Sequence, residues 1–213
     1  MRLVFTTLLT FVMPAALAAP LQLSFVGVDG RGIGGTVVTL RSTDSSRPVA
    51  KPTAGVLDQV DRQFVPNVLV IPVGSQLVFP NSDSVSHQVY SFSPAKNFKL
   101  ALYAGKLYPP LVFDKPGLVT LGCNIHDSMI GFVYVTDSPW FGKTGTQGRV
   151  DIAAVPPGDY LVRLWHPRFP PDEAQIERSL KVTATGDANL TVSLKRSLQP
   201  EPGNNTSNKW KGY

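Results

Sequence analysis

Short segments of alternating apolar and polar residues run through most of this 213-residue chain and favour β-strands. Glycine, proline, asparagine and aspartate separate these segments, as they do in the turns of β-sandwiches and barrels. Eleven strands are too many for one small sandwich, so the pattern predicts an all-β chain with two sandwiches. The predicted strands are Leu21–Val28, Gly35–Arg41, Val68–Val73, Ser75–Phe79, His87–Phe92, Gly117–Gly122, Ile130–Val135, Arg149–Ala154, Gly158–Trp165, Arg178–Thr183 and Ala188–Leu194.

The N-terminus has the features of a secretory signal peptide. Arg2 precedes the apolar run Leu3–Val12, and Ala16–Ala18 offers a small-residue cleavage site. The apolar run is too short to span a bilayer, and no later segment is long and apolar enough to do so. We therefore expect residues 1–18 to be removed and the mature chain to be periplasmic, with no membrane span.

Charge and cysteine content narrow the possible partners. The chain has 20 Lys and Arg against 15 Asp and Glu, giving +5, or +4 once Arg2 leaves with the leader. These cations are scattered along the chain, which argues against a nucleic-acid partner. A single cysteine forbids an internal disulfide, and a metal bond would protect a lone thiol in an oxidising compartment.

The scarce soft side chains of the sequence are concentrated in one short segment. Cys123, His126 and Met129 follow one another at three-residue spacing, and His87 lies 36 residues upstream of the cysteine (123 − 87). The whole chain has one cysteine, three histidines and three methionines. Two imidazoles, a thiolate and a weak axial thioether are the ligand set that an electron-transferring copper ion prefers.

Other interpretations of this cluster fit less well. Structural zinc favours four strong ligands, and a thioether is a poor one for it. A β-sandwich that has lost its metal could keep the same residues as packing, but packing alone does not explain their meeting on one loop. The remaining histidine, His166, follows a predicted strand and is expected to be a surface or hydrogen-bonded structural residue.

The segment around these ligands resembles the cupredoxin family, and the ligand spacing is similar to that of amicyanin and pseudoazurin. It is also similar to periplasmic plastocyanin-like proteins labelled methylamine utilization proteins. The resemblance implies a Greek-key β-sandwich, one type 1 copper ion bound by His87, Cys123, His126 and Met129, and a role in electron transfer. The motifs that carry it are Phe64-Val65-Pro66-Asn67, Val73-Gly74-Ser75, Val78-Phe79-Pro80-Asn81-Ser82-Asp83, His87 and Cys123-x-x-His126-x-x-Met129.

The C-terminal part contains Thr144–Val150, the Pro-Gly-x-Tyr turn within Val155–Val162, and the strand-like Leu190–Leu194. With these segments it resembles a small carboxypeptidase-regulatory-like, or prealbumin-like, β-sandwich that lacks its first hairpin. The hairpin-like segment Asp29–Leu40 would supply it, so we hypothesise that the copper domain is inserted into this sandwich. The alternative is that the N-terminal hairpin packs against the copper domain. The predicted segments are 1–18 signal peptide, 19–50 N-terminal hairpin, 55–137 cupredoxin domain, 140–196 second sandwich and 197–213 disordered tail.

The ligand loop departs from its closest spacing relatives at Asp127, which follows the second histidine where those relatives carry proline. A carboxylate near the ion favours its cupric state, so Asp127 is expected to lower the reduction potential if solvent does not screen it.

These observations favour a periplasmic electron carrier that meets a redox protein partner transiently, with a possible link to methylamine oxidation. The alternatives are a periplasmic protein that binds and delivers copper, and a metal-free interaction module. An enzyme is not expected, because a complete ligand set leaves no open position for substrate. The sequence leaves the oligomeric state open.

Overall fold

The computed structural model describes residues 21–44, 48–105, 108–183 and 189–201. The predicted signal peptide lies outside these residues, as does most of the predicted C-terminal tail. None of the described segments forms a helix long and apolar enough to cross a membrane.

Strands dominate the described residues, which confirms the predicted all-β class. One short 3-10 helix, Pro171–Glu173, accompanies them. In chain order the strands are β1 (Leu21–Val26), β2 (Val37–Ser42), β3 (Ala54–Val56), β4 (Asp58–Val60), β5 (Gln63–Val65), β6 (Val68–Pro72), β7 (Ser75–Val78), β8 (Tyr90–Ser93), β9 (Lys96–Lys99), β10 (Leu111–Phe113), β11 (Gly117–Gly122), β12 (Ile130–Thr136), β13 (Phe141–Lys143), β14 (Arg149–Ile152), β15 (Gly158–Trp165), β16 (Ile176–Val182) and β17 (Asn189–Ser193).

Strands β3 to β12 form a unit that we call the ligand-bearing sandwich, residues 54–136. Its larger sheet has the strand order β6-β12-β11-β8-β9, its smaller sheet the order β10-β7-β3, and β4 and β5 form a separate hairpin. Apolar side chains from both sheets meet in one core, among them Leu77 and Phe113 of the smaller sheet and Val119 and Val133 of the larger. Cys123 belongs to the same core.

The remaining strands form a second unit, the flanking sandwich, residues 21–42 and 141–193. One sheet has the order β14-β1-β17 and the other the order β13-β2-β15-β16. The N-terminal strands are therefore central in both sheets. Phe25 on β1 and Leu40 on β2 are buried in one core with Trp140, Val162 and other apolar residues.

The ligand-bearing sandwich is connected between β2 and β13, which are antiparallel neighbours paired through Thr39 and Phe141. The amide of Leu40 donates to the carbonyl of Trp140 at 2.9 Å, and the amide of Ala50 donates to that of Asp137 at 3.3 Å. The chain thus leaves and re-enters the flanking sandwich at nearly the same place. This is the pairing that the insertion hypothesis requires; the segment boundaries stay predictions.

A third apolar cluster joins the two sandwiches. The Trp165 ring of β15 lies 5.3 Å from Phe132 and 5.9 Å from Tyr134, measured between ring centroids. Val37 and Val68 are buried beside it. The ammonium of Lys143 donates to the carbonyl of Val68 at 3.0 Å at the same boundary. The two units therefore share a packed interface.

Six short strands were not predicted, namely β3, β4, β5, β9, β10 and β13. Each has only three or four residues, too few for alternation to be recognised. The predicted strand His87–Phe92 was also wrong at its start, because β8 begins at Tyr90. The reason is a bulge in the strand pairing between Tyr90 and His87.

Candidate metal centre

The loop 123–129 joins two strand ends that are paired with each other. Gly122 of β11 and Ile130 of β12 are direct partners in the sheet, so the seven intervening residues form the entire connection. The amide of Met129 donates to the carbonyl of His126 at 2.9 Å and folds the loop back on itself. Cys123 directly follows the strand and is 4% exposed, so its sulfur faces the core.

A bulge in the neighbouring strand pair positions His87. Tyr90 pairs with Lys99, whereas His87 pairs with Tyr103 through amide–carbonyl hydrogen bonds of 2.9 Å in both directions. Two residues lie between His87 and Tyr90, but three lie between Lys99 and Tyr103, so one extra residue interrupts regular pairing. Bulges commonly redirect a side chain next to a functional site. Here the His87 side chain is completely buried.

Three of the four predicted ligands converge in the structure. The Cys123 Sγ lies 3.7 Å from His87 Nδ1 and 4.0 Å from His126 Nδ1, and all three donor atoms lie within 4.8 Å of one another. The two imidazole centroids are 4.9 Å apart. Metal–nitrogen and metal–sulfur bonds of roughly 2.0–2.3 Å separate trigonal ligand atoms by roughly 3.5–4 Å. The donor set therefore fits a single ion, and its softness suits copper.

Met129, the fourth predicted ligand, is 1% exposed and belongs to the same core as Cys123. Both line a cavity of about 260 Å³ that also borders Asn124, Asp127 and Tyr90. This burial keeps the thioether away from solvent and at the inner side of the loop. Its role as axial ligand stays a proposal.

Gly122 lets an aromatic ring approach the loop closely. A β-carbon at this position would lie 2.7 Å from the Tyr90 ring, a separation too short for a normal contact. The ring packs against the end of β11 just before Cys123, so only glycine fits here without displacing it.

His126 and its neighbour form the exposed side of the cluster. His126 is half-buried, and Ile125 beside it is 49% exposed. The His87 imidazole is therefore enclosed, while the His126 imidazole is partly exposed beside the apolar side chain of Ile125.

Asp83 is a residue of the site whose role the sequence did not indicate. Its Oδ2 lies 2.9 Å from His87 Nε2, and only 11% of its side chain is exposed. The hydrogen bond to His87, followed by one from the Arg62 amide, lowers the pKa of Asp83 to about 2. Asn81 holds the local turn by accepting a hydrogen bond from the Asp83 amide at 3.0 Å. In the sequence, the one sign of a contact with His87 is that Asp83 lies four positions before it.

Asp127, by contrast, is exposed. Asp127 was expected to lower the reduction potential only if solvent does not screen its charge. Because the side chain is exposed, that condition is not met. The carboxylate nearest a proposed ligand, as judged by hydrogen bonding within the described residues, is that of Asp83.

His166 is a buried, hydrogen-bonded residue of the flanking sandwich, away from the cluster. The Arg168 amide donates to its Nδ1 at 3.1 Å. Burial, and to a lesser extent the charge of Arg168, lowers its pKa to about 4.

We expect this histidine to make the protein less stable in mild acid. In the unfolded chain His166 takes up a proton near pH 6.5, whereas in the folded chain it does so only near pH 4. The neutral imidazole therefore contributes fully to the free energy of unfolding above pH 6.5, and this contribution is lost as the pH falls from 6.5 to 4. The loss is on the order of 3 kcal/mol. Urea unfolding of metal-free protein at pH 7 and pH 4.5, compared with His166→Gln, measures it; equal pH dependence in both proteins would contradict the prediction.

Neither a protein-family model nor a curated protein sequence matches the chain. Solved structures do match part of it. The chain is similar to a copper-containing nitrite reductase (NirK) from Thermus scotoductus SA-01, with 25% identity and a TM-score of 0.37, over 45% of this chain and 25% of that one. It is similar to a purple cupredoxin from Nitrosopumilus maritimus, with 24% identity and a TM-score of 0.32, over 39% of this chain and 99% of that one. It is also similar to a reduced amicyanin mutant, with 20% identity and a TM-score of 0.36, over 46% of this chain and 99% of that one.

The ligand-bearing sandwich consists of a five-stranded sheet, a three-stranded sheet and a hairpin. Its two sheets enclose one core, and His87, Cys123 and His126 meet at one end of that sandwich. The chain spans only a quarter of the nitrite reductase. What the centre can do chemically follows from its own donor atoms, namely binding a soft metal ion through two nitrogens and one sulfur.

Proposed function

We propose that this chain is a periplasmic type 1 copper protein that transfers electrons. The observation that carries the proposal is the convergence of His87 Nδ1, Cys123 Sγ and His126 Nδ1 within 4.8 Å at one end of the ligand-bearing sandwich. Met129 would complete the proposed set as a fourth, weaker donor. A bound copper ion would supply a one-electron couple between its cuprous and cupric states.

The chain's own residues hold the donor atoms in fixed positions. His87 is fixed by backbone pairing with Tyr103 on one side and by the hydrogen bond to Asp83 on the other. Cys123 is fixed by the strand that precedes it and by burial. Ligands that do not move when the charge on the ion changes keep the reorganisation energy small, and a small reorganisation energy favours rapid electron transfer.

The surface side of the cluster suits brief encounters with a redox protein. Half-buried His126 and exposed Ile125 form a small apolar area through which an electron can leave. Transient redox complexes use interfaces of limited size. A carrier role, in preference to catalysis, and a link to methylamine oxidation are parts of this proposal; reduction of the copper-loaded protein by a methylamine-oxidising enzyme would test the link.

The visible spectrum tests the proposed site. Mature protein loaded with one equivalent of copper is expected to show an intense thiolate-to-copper band that bleaches on reduction and returns on oxidation. A colourless protein, or one that binds zinc in preference to copper, would contradict the proposal. Cell fractionation tests export.

Copper delivery is the second candidate, and the 260 Å³ cavity bordering Cys123 and Met129 is the observation in its favour. A competing ligand entering this cavity would lie next to Cys123 and Met129 and would reach the centre after a small movement of the loop. Exchange with a cuprous chelator separates the two roles, since a carrier retains copper through repeated redox cycles and a delivery protein releases it within minutes.

A further inference from the structure

The carboxylate of Asp83 is anchored from several directions, beyond its contact with His87. The Arg62 amide donates to its Oδ2 at 2.8 Å, and the Ser84 amide donates to its Oδ1 at 2.8 Å. With its side chain largely covered, Asp83 therefore has one fixed orientation, in which Oδ2 faces His87 Nε2 at 2.9 Å.

The Arg62 amide belongs to an unusual turn. Val60 and Gln63 are paired, so Asp61 and Arg62 form a two-residue hairpin turn between β4 and β5. Both have positive φ, 51° and 59°, a conformation that non-glycine residues adopt rarely. The turn directs a backbone donor at Asp83, and strained backbone of this kind concentrates at functional sites.

This arrangement dictates which nitrogen of His87 is available. An ionised carboxylate can only accept hydrogen bonds, so Nε2 carries the hydrogen and Nδ1 keeps its lone pair. The atom left free is Nδ1, the one that lies 3.7 Å from Cys123 Sγ. Outer-shell carboxylates that bond to a metal-binding histidine fix its tautomer and raise its basicity.

We propose that Asp83 is the positioning residue of this metal centre, holding His87 in its Nε2–H tautomer and lowering the copper reduction potential through its negative charge. The second part rests on the proposed copper function. The carboxylate favours the cupric ion because that state has the larger positive charge, and its shielding from solvent makes it more effective than the exposed Asp127.

The tautomer can be tested without copper. In metal-free protein labelled with ¹⁵N-histidine, we expect His87 at pH 7.5 to have the hydrogen on Nε2 in wild type and in Asp83→Asn, whose side-chain oxygen still accepts. Asp83→Ala is expected to show a mixture of both tautomers. An unchanged Nε2–H tautomer in Asp83→Ala, with the fold intact by circular dichroism, would overturn the positioning role.

The potential is tested on copper-loaded protein. Asp83→Asn is expected to weaken cupric binding roughly 10–100-fold, as loss of an outer-shell partner does, with a smaller effect on cuprous binding. Each tenfold difference between the two losses raises the potential by about 59 mV. Asp127→Asn is the matched control, with a smaller rise.

The outcomes separate this inference from the proposed function. A wild type that is blue, with Asp83→Asn at an unchanged or lower potential, overturns the effect on the potential and leaves the copper function standing. A wild type that binds no copper removes the proposed function and the effect on the potential together, and the tautomer measurement then decides the positioning role by itself.

Discussion

Replacing Cys123 with serine is expected to abolish the intense visible band proposed for the copper-loaded protein and to weaken copper binding by more than roughly 100-fold. The loss exceeds the roughly 10–100-fold effect of removing an outer-shell partner, because the thiolate is itself the strongest proposed donor. His87 Nδ1 and His126 Nδ1, both within 4.0 Å of the sulfur, would be left as an incomplete set. Optical titration of the metal-free protein with copper measures both quantities.

Ser128→Ala serves as the control for this variant, since Ser128 lies in the same loop and is exposed. It should keep both the band and the affinity. Circular dichroism of the metal-free Cys123→Ser protein establishes that the fold is retained despite a hydroxyl at a buried position. A Cys123→Ser protein that stays folded and keeps the intense band would remove the thiolate from the site.

Replacing Trp165 with alanine is expected to lower the free energy of unfolding by roughly 3–5 kcal/mol, the usual range for truncating a buried aromatic residue. Trp165 is 8% exposed and packs on Phe132 and Tyr134 across the boundary between the sandwiches. Because this contact joins the two units, its loss should also let them unfold in separate steps. Urea unfolding followed by tryptophan fluorescence and by far-ultraviolet circular dichroism measures both effects.

Phe92→Ala is the matched control, since this aromatic side chain is 74% exposed and its removal should change stability little. In Trp165→Ala, the copper spectrum should stay that of wild type, because the apolar cluster around Trp165 contains none of the proposed ligands. Coincident unfolding curves with a loss below about 1 kcal/mol would show that the sandwiches do not depend on this contact.

The ligand loop was predictable because its information is local. Three of the rarest side chains lie within seven residues, and the strand that ends before Cys123 was predicted with the bounds that the structure has, Gly117–Gly122. Strands β11, β12 and β15 were recognisable for a similar reason, since each is a continuous, largely apolar segment of at least six residues.

The surroundings of the loop depend on contacts between distant segments, which alternation does not encode. The bulge at His87 arises from one extra residue on the opposite chain segment, before Tyr103. The position of Asp83 depends on a turn at Asp61 and Arg62, more than twenty residues earlier. Trp165 lies on β15, a strand that was predicted from its sequence. No pattern indicated that the outer face of this strand packs against a second sandwich.

The placement of the ligand-bearing sandwich between β2 and β13 also favours one order of folding. Thr39 and Phe141 are partners separated by 102 residues (141 − 39), and contacts so distant in sequence form slowly because a long loop must close first. A folded ligand-bearing sandwich holds Ala50 and Asp137 together and so removes most of that loop. The ligand-bearing sandwich thereby brings the two halves of the flanking sandwich close together, so we expect a mutation that delays its folding to delay the folding of both units.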